Sequence, residues 1–287
     1  MRYMMGIISG IGILLLAGCK PAAPAMSSAD RSPRIISLAP SITEIVCALG
    51  ASNQLVGRSS ACDYPPDIVK RIPVVGKFGV PSLEQVLVAK PDSVLYSDLA
   101  EMALDGKLRR VGLKPVRITC NRLDEIPDAM IEVGRQVRRE PAARVMADDL
   151  RRQIEQCRSS RPPASRPRTL VLIWNNPLTA AGKNSFISDL VTLTGGQNVG
   201  NEIDRDYFQV SGEWVLSRDP DLIFCFFMAG TTPVRQTVMQ RAGWDQLKAV
   251  RTGRVYDGFD NSLVLRPGPR VMKGVALITP YIEGCHE

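Results

Sequence analysis

One stretch of the chain occurs twice, and that repetition limits the possible folds more than any other feature. Residues 82–94 read S-L-E-Q-V-L-V-A-K-P-D-S-V, and residues 211–223 read S-G-E-W-V-L-S-R-D-P-D-L-I. Both fit S-x-E-x-V-L-x-x-x-P-D-x-(V/I), at an offset of 213 − 84 = 129 residues. A unit that recurs at such an offset implies two similar halves. Each copy starts with Ser at a helix N-cap, sets a Glu in the first turn where the helix dipole favours an anion, and opens a buried face with Val-Leu. Pro-Asp then stops the helix. The apolar, β-prone residues that follow, 93–96 and 222–227, read as buried parallel strands. The unit is helix, tight turn, strand.

Glu84 and Glu213 carry two readings. One is compensation of the helix dipole. The other follows from repetition: one carboxylate per half, at matching places, suits a two-lobed protein gripped symmetrically by a partner.

At 287 residues the chain is long enough for two domains, each with its own core. Its start stands apart. Arg2 gives a short positive region, residues 4–16 form an apolar run too short for a stable span, and Leu16-Ala17-Gly18-Cys19 follows. That tetrapeptide resembles a bacterial lipobox, which implies a signal peptide at 1–18, cleavage before Cys19 and acylation of that residue. Several acyl chains anchor stably where one is marginal; the alternative is an uncleaved apolar start. Residues 19–33, rich in Pro, Ala and Ser, read as a semi-extended tether.

The net charge of +7 loses one base with the signal peptide, giving 7 − 1 = +6. Nucleic acid is excluded as a partner by export and by the absence of a basic run interleaved with aromatics. Seven cysteines become six beyond Cys19, none in C-x-x-C, with Cys47, Cys120 and Cys225 in apolar, core-like segments.

In chain order, residues 34–39 read as a strand, and Ser41 with Glu44 as the S-x-x-E box of the next helix. Strand 55–58 leads to a turn-rich loop at 59–66, and a second loop spans 76–79. Helices are expected at 98–112 and 123–139 around a strand at 115–119. Pro141 opens a lone helix to Ser159, with Val145, Met146, Leu150, Ile154 and Cys157 at helical spacing, a spine between lobes at 34–140 and 161–287 with the spine itself at 141–160. The second half follows with a strand at 169–174, a loop at 175–184, a helix at 186–194 and a loop at 204–210. A short helix at 244–250, a strand at 254–257 and a helix at 269–282 complete it.

The lipobox, the opening R-I-I-S-L-A-P-S-I-T-E, the loop C-D-Y-P-P, the twin S-x-E-x-V-L with Pro-Asp, and R-P-G-P-R at 266–270 together resemble the iron and cobalamin group of periplasmic binding proteins. The resemblance covers residue 34 to the C-terminus. It implies an α/β fold of two pseudo-symmetric α/β lobes joined by a single long helix, with a ligand cleft between the lobes. It also implies a solute receptor of an ABC importer that docks Glu84 and Glu213 onto arginines of a permease dimer. Ligand contacts are expected from Cys62, Asp63, Tyr64, Phe78, Trp174, Tyr207, Phe208 and Arg266. The likeness is nearest to cobalamin receptors, through S-S-x-x-D-Y-P-P and the aromatics six residues before each glutamate, Phe78 and Tyr207. Ala61 and Ser97 depart from that pattern by standing where aromatics are common.

The bound ligand is therefore expected to be a cobalt corrinoid, with haem or a ferric siderophore as alternatives, and no cofactor or resident metal. For haem, Phe78 cannot ligate iron, Tyr64 is the candidate ligand, and Cys62 is either a ligand or an inert buried thiol. A siderophore would need arginines facing the cleft, from Arg58, Arg205 and Arg266. Trp174 is either a cleft contact or core. Enzyme readings fit poorly: the one histidine, His286, lies in the tail, and residues 182–185 fail the phosphate-loop pattern at Pro177 and Asn184. A hydrolase using Glu84 and Glu213 as its carboxylate pair is the remaining enzymatic alternative. The expectation is a monomeric, non-catalytic lipoprotein of the bacterial cell envelope, with its binding domain outside the cytoplasm.

Overall fold

Two sheets organise the fold, and each is built around a strand that follows the repeated Pro-Asp. The computed structural model describes residues 31–160, 166–227 and 234–285. The signal peptide, Cys19, most of the tether and His286 lie outside the described residues.

The first lobe contains β1 (Ile35–Ser37), β2 (Leu55–Arg58), β3 (Gly76–Lys77), β4 (Val80–Pro81), β5 (Ser93–Ser97) and β6 (Pro115–Ile118). Its sheet is wholly parallel, in the order β2-β1-β5-β6, while β3 and β4 form a separate antiparallel hairpin. The helices are α1 (Pro40–Ala48), α2 (Pro66–Val69), α3 (Leu83–Val88), α4 (Leu104–Arg110) and α5 (Ile126–Gln136). The long helix α6 (Glu140–Ser159) follows.

The second lobe contains β7 (Arg168–Asn175), β8 (Leu178–Ala181), β9 (Gln197–Asn198), β10 (Tyr207–Gln209), β11 (Leu222–Cys225) and β12 (Val255–Tyr256). The order is β10-β8-β7-β11-β12, with β9 also beside β7. Here β8 and β10 are antiparallel and the rest parallel. Its helices are α7 (Phe186–Leu193), α8 (Gly212–Arg218), α9 (Val234–Met239), α10 (Lys248–Arg251), α11 (Asn261–Val264) and α12 (Val271–Glu283).

The repeat holds at the level of single atoms. Ser82 Oγ accepts the Gln85 N–H at 3.4 Å and Ser211 Oγ the Trp214 N–H at 3.1 Å, so both serines cap as expected. Lys90 and Asp219, 129 apart, both leave their helix with a left-handed backbone (φ 45° and 38°). The Pro-Asp carboxylates then do more than end a helix. Asp92 accepts the Arg34 N–H at 2.7 Å, and Asp221 accepts the Arg168 N–H at the same distance. In each lobe the repeat thereby clips the start of the neighbouring central strand into register.

Side chains alternate across each strand, so each sheet has two apolar faces. Ile36, Val86, Val94 and Leu108 fill the outer face of the first lobe; Leu170, Val215, Ile223 and Trp244 fill that of the second. The inner faces merge into one core that runs through both lobes, with Ile35, Ile42 and Leu95 from the first and Val171, Ile187 and Phe224 from the second. Helix α6 enters this core through Ala143, Ala147, Leu150 and Ile154, while Val145 is exposed. The small Ala143 suits its place: a Cβ on Gly134 of α5 would lie 2.4 Å from its own.

Several segments depart from the sequence reading. The loops expected at 175–184 and 204–210 contain β8 and β10, whose strand state comes from pairing rather than from composition. The helix expected at 98–112 starts only at Leu104, the first residue there to bury a large apolar side chain; without such packing, helix propensity alone does not hold a turn. The segment 123–139 starts as a 3₁₀ turn, and α11 was not anticipated.

Candidate ligand-binding site

The loop at 59–66 is shaped from beneath. Arg58 donates Nε to the Val69 carbonyl at 2.8 Å and Nη1 to those of Ser59 and Cys62 at 3.1 and 2.9 Å. Cys62 is 1% exposed, its sulfur 3.0 Å from the Thr43 hydroxyl and 3.2 Å from that of Ser59. One expectation is corrected here: Cys62 is closed in among hydroxyls rather than offered to a ligand. Arg58, available to a siderophore by sequence, holds carbonyls instead.

What the loop presents is Asp63 and Tyr64, and both meet the second lobe. The Asp63 carboxylate takes two N–H groups of Arg266 at 2.5 and 2.8 Å. Hydrogen bonding from Arg266 holds the Asp63 carboxyl below its usual value of 3.8, against the opposing effect of burial. Arg270 reaches Glu44 by two bonds of 2.7 Å and lies 3.8 Å from the centre of the Tyr64 ring. The side chain of Glu44 is 3% exposed. Glu44, Asp63 and Tyr64 thus meet Arg266 and Arg270 across the joint between the lobes.

This corrects the local role expected of Glu44. Helix α1 begins at Pro40, whose missing N–H needs no cap, and the N-cap residue Ala39 offers no side-chain bond. Glu44 is left to turn inward. A second tie links Asp189 at the start of α7 to Arg122 at 2.7 and 2.5 Å and to the Leu123 N–H at 3.0 Å. Neither partnership left a sequence signal, because the partners are 226 and 67 residues apart.

Exposed aromatic rings mark both lobes. Phe78 sits at the tip of the β3–β4 hairpin, whose base is closed at Gly76, which takes a φ of 142° and where a Cβ would come 2.6 Å from Pro81 Cα. Tyr207 is exposed on β10, at the edge of the second sheet. Trp174 is exposed near the end of β7, its indole N–H bonded to the Asn176 carbonyl at 2.9 Å, so it is not core. Phe208 is a correction. One residue from Tyr207 on a strand, it turns to the opposite face and packs edge-on against Trp214 with ring centres 5.3 Å apart. Sequence reasoning also missed Leu99 and Met102, both exposed on the loop after β5. That loop lies against the hairpin: a Cβ on Gly79 would be 3.4 Å from Ala100 Cα.

Glu84 and Glu213 stand exposed in the first turns of α3 and α8. Among the described residues neither forms an ion pair, although this chain is rich in arginine.

A family model described as periplasmic binding protein matches residues 35–261. The chain is similar to a vitamin B12-binding protein of Vibrio cholerae, 28% identical over 251 residues, which are 87% of this chain and 89% of that one. The solved periplasmic vitamin B12 binding protein BtuF of Vibrio cholerae superposes with a TM-score of 0.76 at 26% identity, over 89% of this chain and 98% of its own. The periplasmic heme-binding protein RhuT from Roseiflexus sp. RS-1 shares the fold with a TM-score of 0.80 at 23% identity, over 90% and 100%.

Proposed function

The chain belongs to the periplasmic binding protein family, and from that premise we propose that it is the lipid-anchored receptor of an ABC importer, capturing a cobalamin-like corrinoid between its lobes. Acyl chains on Cys19 hold it to a bacterial membrane, with the binding lobes outside the cytoplasm. Glu84 and Glu213 seat it on the permease dimer, to which it delivers the ligand without chemistry of its own.

The observation that carries the ligand class is the pair Phe78 and Tyr207, one exposed ring per lobe at the repeat offset of 207 − 78 = 129. Each residue is about two-fifths exposed (38% and 39%), so each ring keeps a face that folding leaves uncovered. Such rings suit a broad, flat macrocycle, which aromatic faces contact at low entropic cost. The charges favour the same class. Of the three arginines available to an anionic siderophore, Arg58 is committed to carbonyls and Arg266 to Asp63, which leaves Arg205 alone, too little charge for a multiply anionic ligand. For haem, Phe78 offers no iron ligand, and the ring of Tyr64 lies beneath Arg270. The resemblance to vitamin B12-binding proteins points the same way.

Isothermal titration with cyanocobalamin and with hemin, each into the purified receptor, tests the ligand. Saturable binding of cyanocobalamin at micromolar affinity or tighter is expected. Absence of cyanocobalamin binding removes the corrinoid, and tight hemin binding in its place assigns haem. The mass of the membrane-extracted protein tests the anchor, which requires an acylated Cys19 as first residue.

A further inference from the structure

The two copies of the repeat differ in what covers the helix beside each glutamate. In the second lobe Trp214 follows Glu213, packs on Phe208 and donates its indole N–H to Glu202 at 3.0 Å. Arg218 lies 4.9 Å from the Trp214 ring and pairs with the same Glu202. The helix face is closed by its own side chains. At the offset of 129, the first lobe has Gln85 in place of Trp214, Val88 in place of Ser217 and Ala89 in place of Arg218.

Without that cover a groove of about 550 Å³ stays open between α3 and residues 73–75, which run beside the edge strand β2. Val56, Val74, Val88 and Ala89 line it, and Glu84 is part of its wall. Val88 is 75% exposed. Arg34 also reaches the groove, but its guanidinium is bonded to the Ala89 and Lys90 carbonyls at 2.7 and 2.9 Å.

We propose that this groove makes docking one-sided: it receives an apolar side chain from the permease subunit that faces the first lobe. That side chain is carried on a segment whose adjacent arginine or lysine pairs with Glu84. The inference rests on the receptor reading above. Charge selects the occupant, because an unpaired acid at the wall of a valine-lined groove matches a basic segment with an apolar tip. A second copy of this chain fits less well, since the net charge of 7 − 1 = +6 on the mature receptor opposes self-association. The two subunits of a permease dimer present like surfaces to the two lobes. One inserts into the open groove, and the other meets the Trp214–Arg218 cover.

The test transplants that cover. Full-length receptor carrying Gln85→Trp with Ala89→Arg, and separately the milder Val88→Ser, is bound to the cognate permease–ATPase complex in lipid nanodiscs, with melting temperature as the control for folding. The double change should weaken docking at least tenfold and Val88→Ser a few-fold, both with unchanged melting temperature. The mirror change in the second lobe, Trp214→Gln with Arg218→Ala, should have a smaller effect. Glu84→Ala with Glu213→Ala separates the layers of the argument. If that pair weakens docking while the transplanted cover does not, the groove inference is overturned and the receptor reading stands. If neither set weakens docking, both are overturned. If Val88→Ser dissolves a receptor dimer in sedimentation and leaves docking intact, the groove joins copies of this chain and the inference is again overturned.

Discussion

The first lobe carries its exposed ring on a two-residue hairpin outside the main sheet; the second carries its own on a strand hydrogen-bonded into the sheet. The repeat is preserved where it builds the core, in the serine caps, the left-handed exits and the Asp clips, and it diverges where the surface meets something else. Within one unit, the residues that build the fold and the residues that face outward are different ones. The joint between the lobes belongs to the divergent part, since the first lobe supplies the acids Glu44 and Asp63 and the second the guanidinium groups of Arg266 and Arg270.

The largest expected effect tests that division at the joint. Glu44→Ala leaves Arg270, itself only 13% exposed, without its buried carboxylate partner, and should cost about 3–5 kcal/mol of stability. Asp63→Ala, at a side chain 61% exposed, should stay within about 1 kcal/mol. Urea denaturation of both variants checks the contrast. Equal and small losses would mean that the apolar core, not the Glu44–Arg270 pair, governs how the lobes are held.

What was legible in the sequence follows the same line between local and distant causes. The helix–turn–strand unit could be read because its cap, first-turn acid and Pro-Asp exit lie within 13 consecutive residues. Strand β8, Leu178–Ala181, could not, because Leu-Thr-Ala-Ala has little β-propensity and is held by pairing with β7 and β10. Reading β10 as a loop carried a further error. A loop allows Tyr207 and Phe208 to face the same way, whereas a strand requires them to part, and Phe208 packs, partly buried, against the second lobe's core. Glu44 was misread for the opposite reason: a plausible local motif, S-x-x-E, hid a partner in the other lobe.

The next effect, in ligand affinity, asks whether the difference in mounting matters. Phe78→Ala and Tyr207→Ala should each weaken cyanocobalamin binding by about 1–3 kcal/mol. Tyr207→Ala should be the costlier, because a ring on a sheet strand is already ordered, while the hairpin must lose freedom on binding and so contributes less net affinity. Titration calorimetry gives the order. A fall in melting temperature with affinity intact would make either ring a packing residue, and a larger loss at Phe78 would reverse the argument from mounting.

The smallest effect separates backbone from side chain at two positions the repeat makes equivalent. Lys90 and Asp219 both hold a left-handed conformation, which costs a residue with a Cβ about 1–2 kcal/mol and costs glycine little beyond its extra entropy. On backbone grounds alone, both should become more stable as glycine. Their side chains differ, however. The Asp219 carboxylate accepts the Lys248 N–H at 2.7 Å and ties α8 to α10, and aspartate tolerates this conformation better than lysine does. Lys90 joins the corresponding exit in the first lobe chiefly through its backbone carbonyl, which accepts from Arg34 and survives the substitution. Lys90→Gly should therefore stabilise the protein by up to about 1 kcal/mol. Asp219→Gly should destabilise it by about 1 kcal/mol, because the lost charge-assisted bond outweighs the relieved backbone. Opposite shifts in urea midpoint at unchanged slope would show that one backbone exit is held in two ways; shifts of the same sign would mean the carboxylate at Asp219 adds nothing to the turn.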